Sequence, residues 1–286
     1  MAHQQFQVAV ARLLRDPAFR RDWEARAAEW GLTGEERARL RAMQGDPLVE
    51  RFARKMLVKR TGILAERCPV TIAAIGPAQF ETACFRYDQR AFSMPLREYV
   101  AGAFEFLRDD LECQRLFGEP VPPFVVDCVT YDELTELMVS PPTPLEDLRP
   151  DRPIPDLASP TSAALIPHWK AKARGACFNS DVRPLVRRPR KPLPDASPPP
   201  PLAPQPFSIA RRPLYLFFYQ TGPDGQHEVS EFPLSVAPLI ESIDGRRTLQ
   251  HLLASVTAHV DAATAASVLS RLMSVGILAS VRRETV

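Results

Sequence analysis

The chain lacks the short motifs by which most enzymes announce themselves. No GxGxxG, P-loop, HExxH or nucleophile-elbow pattern occurs in its 286 residues. Five cysteines (Cys68, Cys84, Cys113, Cys128, Cys177) stand singly and are odd in number. Without a CxxC or a Cys/His cluster, neither a zinc site nor a disulfide framework is encoded locally. Five histidines are equally dispersed, at 3, 168, 227, 251 and 259. A histidine-carboxylate metal centre needs several such groups converging, so metal chemistry is expected to belong to another chain. No apolar run reaches bilayer-spanning length. The opening MAHQQFQVAVARLLRDPAF turns charged before a secretory apolar region develops, and the expected compartment is cytoplasmic. A formal net charge of +2 leaves no field strong enough to call for nucleic acid or membrane.

What is present first is helix. In QFQVAVARLLRD the residues Phe6, Val10, Leu13 and Leu14 fall at helical spacing. Asp16-Pro17 reads as a cap followed by a first-turn proline, opening a helix through Trp23 to Trp30. Thr33 lies three residues before Glu36, a capping-box spacing, with Gly45 as the stop. Asp46-Pro47 starts a longer helix whose stripe is Val49, Phe52, Ala53, Met56 and Leu57. The break at Cys68-Pro69 leads to another helix from Pro77, burying Phe80, Ala83, Cys84 and Tyr87. A further helix after Pro95 buries Leu96, Tyr99, Val100, Ala103 and Leu107, and a last one runs from about Pro123 to Met138. Residues 1–139 are therefore expected to form an all-α bundle.

Thirty prolines are about twice the usual share, and eighteen of them lie between Pro141 and Pro206. Such a segment cannot donate the hydrogen bonds of a ladder and favours extended chain, so 140–206 reads as a linker. One island, 163–187, carries enough apolar and aromatic residues for a strand or two. Residues 207–286 then read as a second, small domain. Strand signals cover Phe207–Ile209, Pro213–Gln220 and Gln226–Phe232, with a Pro223-Asp224-Gly225 turn before the last. Helical patterns follow at about Ser235–Ile243, Thr248–His259 and Ala262–Val275. The fold class is α+β, mostly α, with a winged-helix-like β-β-β-α-α-α module at the end.

The strand LYLFFYQ is apolar on both faces: Leu214, Leu216 and Phe218 one way, Tyr215, Phe217 and Tyr219 the other. A strand at the rim of a small sheet usually alternates with polar residues. Either another polypeptide covers the second face, or the strand is central, between the helices and the 163–187 island. QHEVSEF mixes polar and apolar residues, as an exposed edge does, and an exposed edge accepts an added peptide strand.

Hairpin, apolar helix, IDGRRTLQHLL and VLSRLMSVGIL together resemble the peptide-chaperone domain of pyrroloquinoline-quinone biosynthesis. That domain is the type member of the recognition elements for ribosomally synthesised, post-translationally modified peptides (RiPPs). The resemblance rests on Ile243-Asp244-Gly245, Thr248, Leu249, Leu252-Leu253, Leu269, Leu272 and Gly276-Ile277-Leu278, over about 75 residues. It implies that a precursor's leader adds to the third strand and lies against the third helix. Carried over, the edge is Gln226, His227, Glu228, Val229, Ser230, Glu231 and Phe232, faced by Ser267, Val268, Arg271 and Ser274. Val268 is equally readable as core, and Arg271 either meets an acidic leader residue or is solvated. Tyr215, Phe217 and Tyr219, or the groove beside Val268, are the candidate apolar anchors.

Residues 47–111 are similar to the helical domain of proteins encoded beside multinuclear non-haem iron oxidases. The match runs through Arg51 to Arg60, Cys68-Pro69, Gly76 to Phe80, Phe85 to Tyr87, Pro95 and Phe104-Glu105-Phe106-Leu107. The resemblance implies a partner subunit of methanobactin-, thiaglutamate- or aminopyruvatide-type RiPP pathways. The iron would be held in the partner oxidase, with no cofactor in this chain. Arg51, Arg54, Lys55, Lys59 and Arg60 share a basic flank that suits a solvated face, a protein partner or DNA. The expected function is a non-catalytic subunit that binds a precursor's leader and presents it to the oxidase. The alternatives are a winged-helix DNA-binding regulator and, more remotely, a small cysteine enzyme.

Overall fold

The computed structural model describes residues 2–15, 17–27, 30–91, 94–139, 157, 162–186, 209–222 and 226–282. The fold is α+β, mostly α, with a small three-stranded antiparallel sheet. Backbone contacts divide the chain into two units, Met1–Val129 with Leu185–Pro206, and Thr130–Pro184 with Phe207–Val286.

The first unit is helical. Its elements are α1 (Ala2–Arg15), α2 (Pro17–Ala27), α3 (Gly34–Gln44), α4 (Pro47–Arg67), α5 (Pro69–Ile75), α6 (Pro77–Arg90), α7 (Leu96–Leu116) and the start of α8 (Val125–Val139). Local chemistry sets the boundaries. Thr33 accepts from the Glu36 amide while Glu36 accepts from that of Thr33, closing the capping box. Asp46 caps α4 through the Leu48 amide, and Pro47 occupies the first turn, where its missing N–H costs nothing. The segment after Cys68, read from sequence as a break, is the short helix α5. Pro69 sits in its first turn and Gly76 ends it at φ +82°.

Among the described residues, apolar side chains of this unit gather in two clusters. Ala9, Leu13, Phe19, Trp23, Leu32 and Leu40 form one between α1, α2 and α3. The other joins Leu64, Phe80, Ala83, Cys84, Tyr87, Tyr99, Ala103 and Leu107 from α4, α6 and α7. The expected stripes of α6 and α7 are thus buried, with one exception: Leu96 is 54% exposed, because the first turn of α7 extends past the packed stripe. On α4 the expected stripe is also displaced. Phe52 is exposed and Arg60 is buried.

In the second unit the order is β1 (Leu165–Trp169), β2 (Ala173–Ser180), β3 (Arg211–Gln220), β4 (His227–Phe232), α9 (Ala237–Glu241), α10 (Leu249–Val256), α11 (Ala262–Ser274) and β5 (Leu278–Arg282). The sheet order is β2-β3-β4, all antiparallel, and β1 pairs separately with β5. The 163–187 island therefore supplies β1 and β2 to this unit, and the expected boundary at 206/207 does not mark where the unit begins. Its strand bonds fall to partners tens of residues away, which no local pattern reveals. Ile209 is outside any strand; Phe207, the turn 223–225 and the linker segments 140–156 and 187–206 lie outside the described residues. β5 was not expected at all.

β3 is the central strand. Tyr215, Phe217 and Tyr219 enter the core beneath α9, α10 and α11 with Leu239, Leu252, Leu269 and Leu272. The other face is met by this unit's own residues. Tyr131, near the middle of α8, packs edge-on against Phe218 at 5.0 Å between ring centroids, and Phe178 of β2 lies beside both. The second apolar face is covered by the chain itself, so of the two readings the central strand holds and the visiting polypeptide over that face does not.

Candidate functional site

Strand register decides which backbone groups of β4 are available. The Thr221 N–H donates to the Gln226 carbonyl at 2.8 Å. In an antiparallel ladder hydrogen-bonded pairs recur every second residue. With Tyr219 opposite Glu228 and Phe217 opposite Ser230, the main-chain groups of Glu228, Ser230 and Phe232 point at β3. Those of Val229 and Glu231 point outward, and among the described residues no strand pairs with that side.

The side chains sort by the opposite rule. Glu228, Ser230 and Phe232 share the face of Tyr219, Phe217 and Tyr215. The Tyr219 hydroxyl donates to Glu228 at 2.7 Å, and burial raises its pKa, so it stays a donor. Over that face lies α11, capped by Asp261 through the Thr264 amide at 2.8 Å. Val268, Leu269 and Leu272 turn into the core; Ser267, Arg271 and Ser274 form an exposed stripe at helical spacing. The Arg271 guanidinium sits 5.6 Å from the centroid of Phe232, which ties the stripe to β4.

Several expected roles change here. Val268 is 8% exposed and belongs to the core, so it lines no open groove. Tyr215, Phe217 and Tyr219 are buried against the unit's own helices and are not free to anchor a visitor. The Glu231 side chain is engaged by Arg183 at 2.6 Å and by Arg212, and both arginines also meet Asp181. Glu231 is left with its main chain to offer. Gln226 accepts the Thr221 bond, and His227 opposes Gln220 at the turn end of the ladder.

In the first unit the five basic positions part company. Arg51, Arg54, Lys55 and Lys59 are exposed, Arg54 lying 3.5 Å from Glu50. Arg60 is 8% exposed, not part of a solvated flank. It donates to Asp88 at 3.0 Å and to the Ala91 carbonyl, and stacks 4.5 Å from the Tyr99 ring centroid. Helical rotation carries position 60 toward α6 and α7, where Asp88 compensates its charge.

A groove of about 780 Å³ opens between α4, α5 and α6, lined by Leu57, Val58, Thr61, Ala65, Ile72, Phe80 and Phe85. Arg54 lies one turn before Val58, and Arg51 one turn earlier still, so basic side chains follow the same flank of α4. Leu48, Phe52 and Val58 remain exposed on this helix. Sequence reading missed the groove because it assigned α4 a single apolar stripe. The available signal was Leu48 and Val58, apolar residues outside that stripe.

Among the described residues no group of three or more His, Cys, Asp or Glu side chains is placed to hold a metal ion. Burial pushes the Cys84 thiol up to about 12 and raises Cys177 as well, which disfavours a thiolate at either position at neutral pH. No helix among the described residues is long and apolar enough to cross a membrane. No protein-family model matches the chain, and no curated protein matches it.

Proposed function

We propose that the chain is a non-catalytic partner subunit in ribosomal peptide modification. The second unit captures a precursor's leader as an added strand on β4, and the first unit docks an iron-dependent oxidase that carries the metal and the chemistry. One observation carries this reading: the outward main-chain groups of Val229 and Glu231 form an edge that no strand among the described residues occupies. Three further features support it. The exposed Ser267, Arg271 and Ser274 stripe flanks that edge, with a cation placed for an acidic leader residue. A three-stranded sheet followed by α9, α10 and α11 suits a winged-helix-like recognition module, with β2 drawn from the island and β1 and β5 as additions. The apolar, basic-flanked groove on α4 suits a protein surface.

Holding the leader makes delivery of the reacting residue effectively intramolecular, which is the physical gain of a separate carrier. The assignment places the complex in the cytoplasm, with no nucleic acid or membrane as partner. Reading DNA with α11 would call for several cations among its exposed positions, and the helix carries Arg271 alone.

The test uses the direction of two neighbouring amides. Val229→Pro removes an outward N–H and leaves the β3 ladder intact; Ser230→Pro removes a ladder bond. With the fluorescein-labelled leader of a candidate precursor peptide that binds the wild type, Val229→Pro should weaken binding at least tenfold at unchanged circular dichroism. Ser230→Pro should instead lower the melting temperature. Wild-type affinity in a folded Val229→Pro chain overturns the reading.

A further inference from the structure

The sheet has a second edge, and a buried hydroxyl marks it. The Gln220 N–H donates to the Lys172 carbonyl at 3.0 Å, so hydrogen-bonded pairs step through Arg174–Phe218 and Ala176–Leu216. The main-chain groups of Ala173, Gly175 and Cys177 consequently point away from β3, and no strand among the described residues pairs with them. On the core-facing side of that edge lies a cleft of about 460 Å³, walled by Trp169, Tyr215 and Ile240 with Glu241 at its rim. Small residues make the space: Ala173 and Gly175 both face it. A side-chain carbon on Gly175 would collide with the Tyr215 phenol.

Tyr215 is 0% exposed, yet its Oη has no hydrogen-bond partner. A buried hydroxyl left unpaired has lost its water without compensation, so it favours a ligand that brings a matching polar atom. The Trp169 ring, held by its Nε1–H donating to the Ile243 carbonyl at 3.1 Å, lies tilted 5.4 Å from Phe217 and offers an aromatic wall.

We propose that this cleft binds a tyrosine side chain of an extended peptide that adds to the outer edge of β2. The peptide main chain bonds to the outward groups of Ala173 and Gly175. The residue opposite Gly175 sends its ring onto the same face, because directly opposed residues on neighbouring strands share a side. Its hydroxyl exchanges a hydrogen bond with Tyr215 Oη. The site is distinct from the β4 edge, and either can fail without the other.

The chain contains three tryptophans, and Trp169 is the one in the cleft. Full-length protein carrying 5-fluorotryptophan is titrated with N-acetyl-tyrosine methylamide and followed by fluorine NMR. The Trp169 resonance should shift saturably while those of Trp23 and Trp30 stay put. N-acetyl-phenylalanine methylamide should bind about two- to tenfold more weakly, the range of one neutral hydrogen bond. That preference should vanish in Tyr215→Phe, a variant that keeps the ring and its packing. Ala173→Leu should abolish binding, and p-cresol, which lacks the peptide groups, should bind at least tenfold more weakly. Three results would overturn the proposal: no Trp169 shift, a tyrosine preference that survives in Tyr215→Phe, or p-cresol binding as tightly as the peptide analogue.

Discussion

Helix α4 and strand β3 each carry more apolar surface than one buried face can use, and the molecule treats the two surpluses differently. On β3 the second face is closed by the same unit: Tyr131 and Phe178 pack on Phe218, and β2 pairs along the strand. On α4, Leu48, Phe52 and Val58 stay at the surface beside a groove, interleaved with Arg51, Arg54, Lys55 and Lys59. The contrast teaches that an apolar residue says nothing about docking until its cover is known. What distinguishes the α4 face is exposed apolar surface with charge along its flank, the composition of an interface.

The widest separation between the two regions should appear in paired truncations. Phe218→Ala removes a fully buried ring from two aromatic contacts and should cost about 3–5 kcal/mol in urea unfolding. Phe52→Ala, at 51% exposure, should stay within about 0.5 kcal/mol and instead weaken retention of the proposed oxidase partner in a pull-down. A large stability loss for Phe52→Ala would erase the distinction. Within α4 itself, Arg60→Ala leaves Asp88 buried without its partner and should cost about 3 kcal/mol or more. Lys59→Ala, next to it in sequence and exposed, should be silent in the same melt.

Smaller effects probe the local devices. Thr33→Ala removes the side-chain half of the capping box, the acceptor for the Glu36 amide, and should lower stability by about 1 kcal/mol, with the loss reported by amide exchange in α3. The smallest is the Asp244 turn of the second unit. Backbone amides of Arg246 and Arg247, followed by the Arg247 side chain, hold the Asp244 carboxyl down to about 2. A depressed carboxylate stabilises the fold above its unfolded value of about 3.9. The benefit is lost as pH falls through the folded value. The difference in melting temperature between wild type and Asp244→Asn should therefore hold at pH 5 and shrink progressively between about pH 4 and about pH 2.

Legibility followed the range of the interactions. Helix starts at Thr33 and Asp46 are written in adjacent residues, because a cap is a bond across two or three positions. The stripe Phe80, Ala83, Cys84 and Tyr87 was legible from spacing alone. Arg60 was not, since its burial depends on Asp88 and Tyr99 arriving from other helices. β2 was only hinted at: ARGACFNS has little strand signal, and it becomes a strand because β3 offers it a ladder. On the candidate site, the exposed edge at 226–232 and the polar side of α11 could be read from pattern. The occupancy of Glu231 by Arg183 and Arg212 could not.

By itself the sequence determined the helical first half, its capped boundaries, the hairpin that β3 and β4 form, and the polar character of the β4 rim. These follow from dihedral preference and from bonds between near neighbours. Only the tertiary structure decided that β3 is central, that β1 and β2 come from the proline-rich region, and that Val229 points its amide outward. Each of those depends on register between distant segments, and register is settled when apolar faces find their cover.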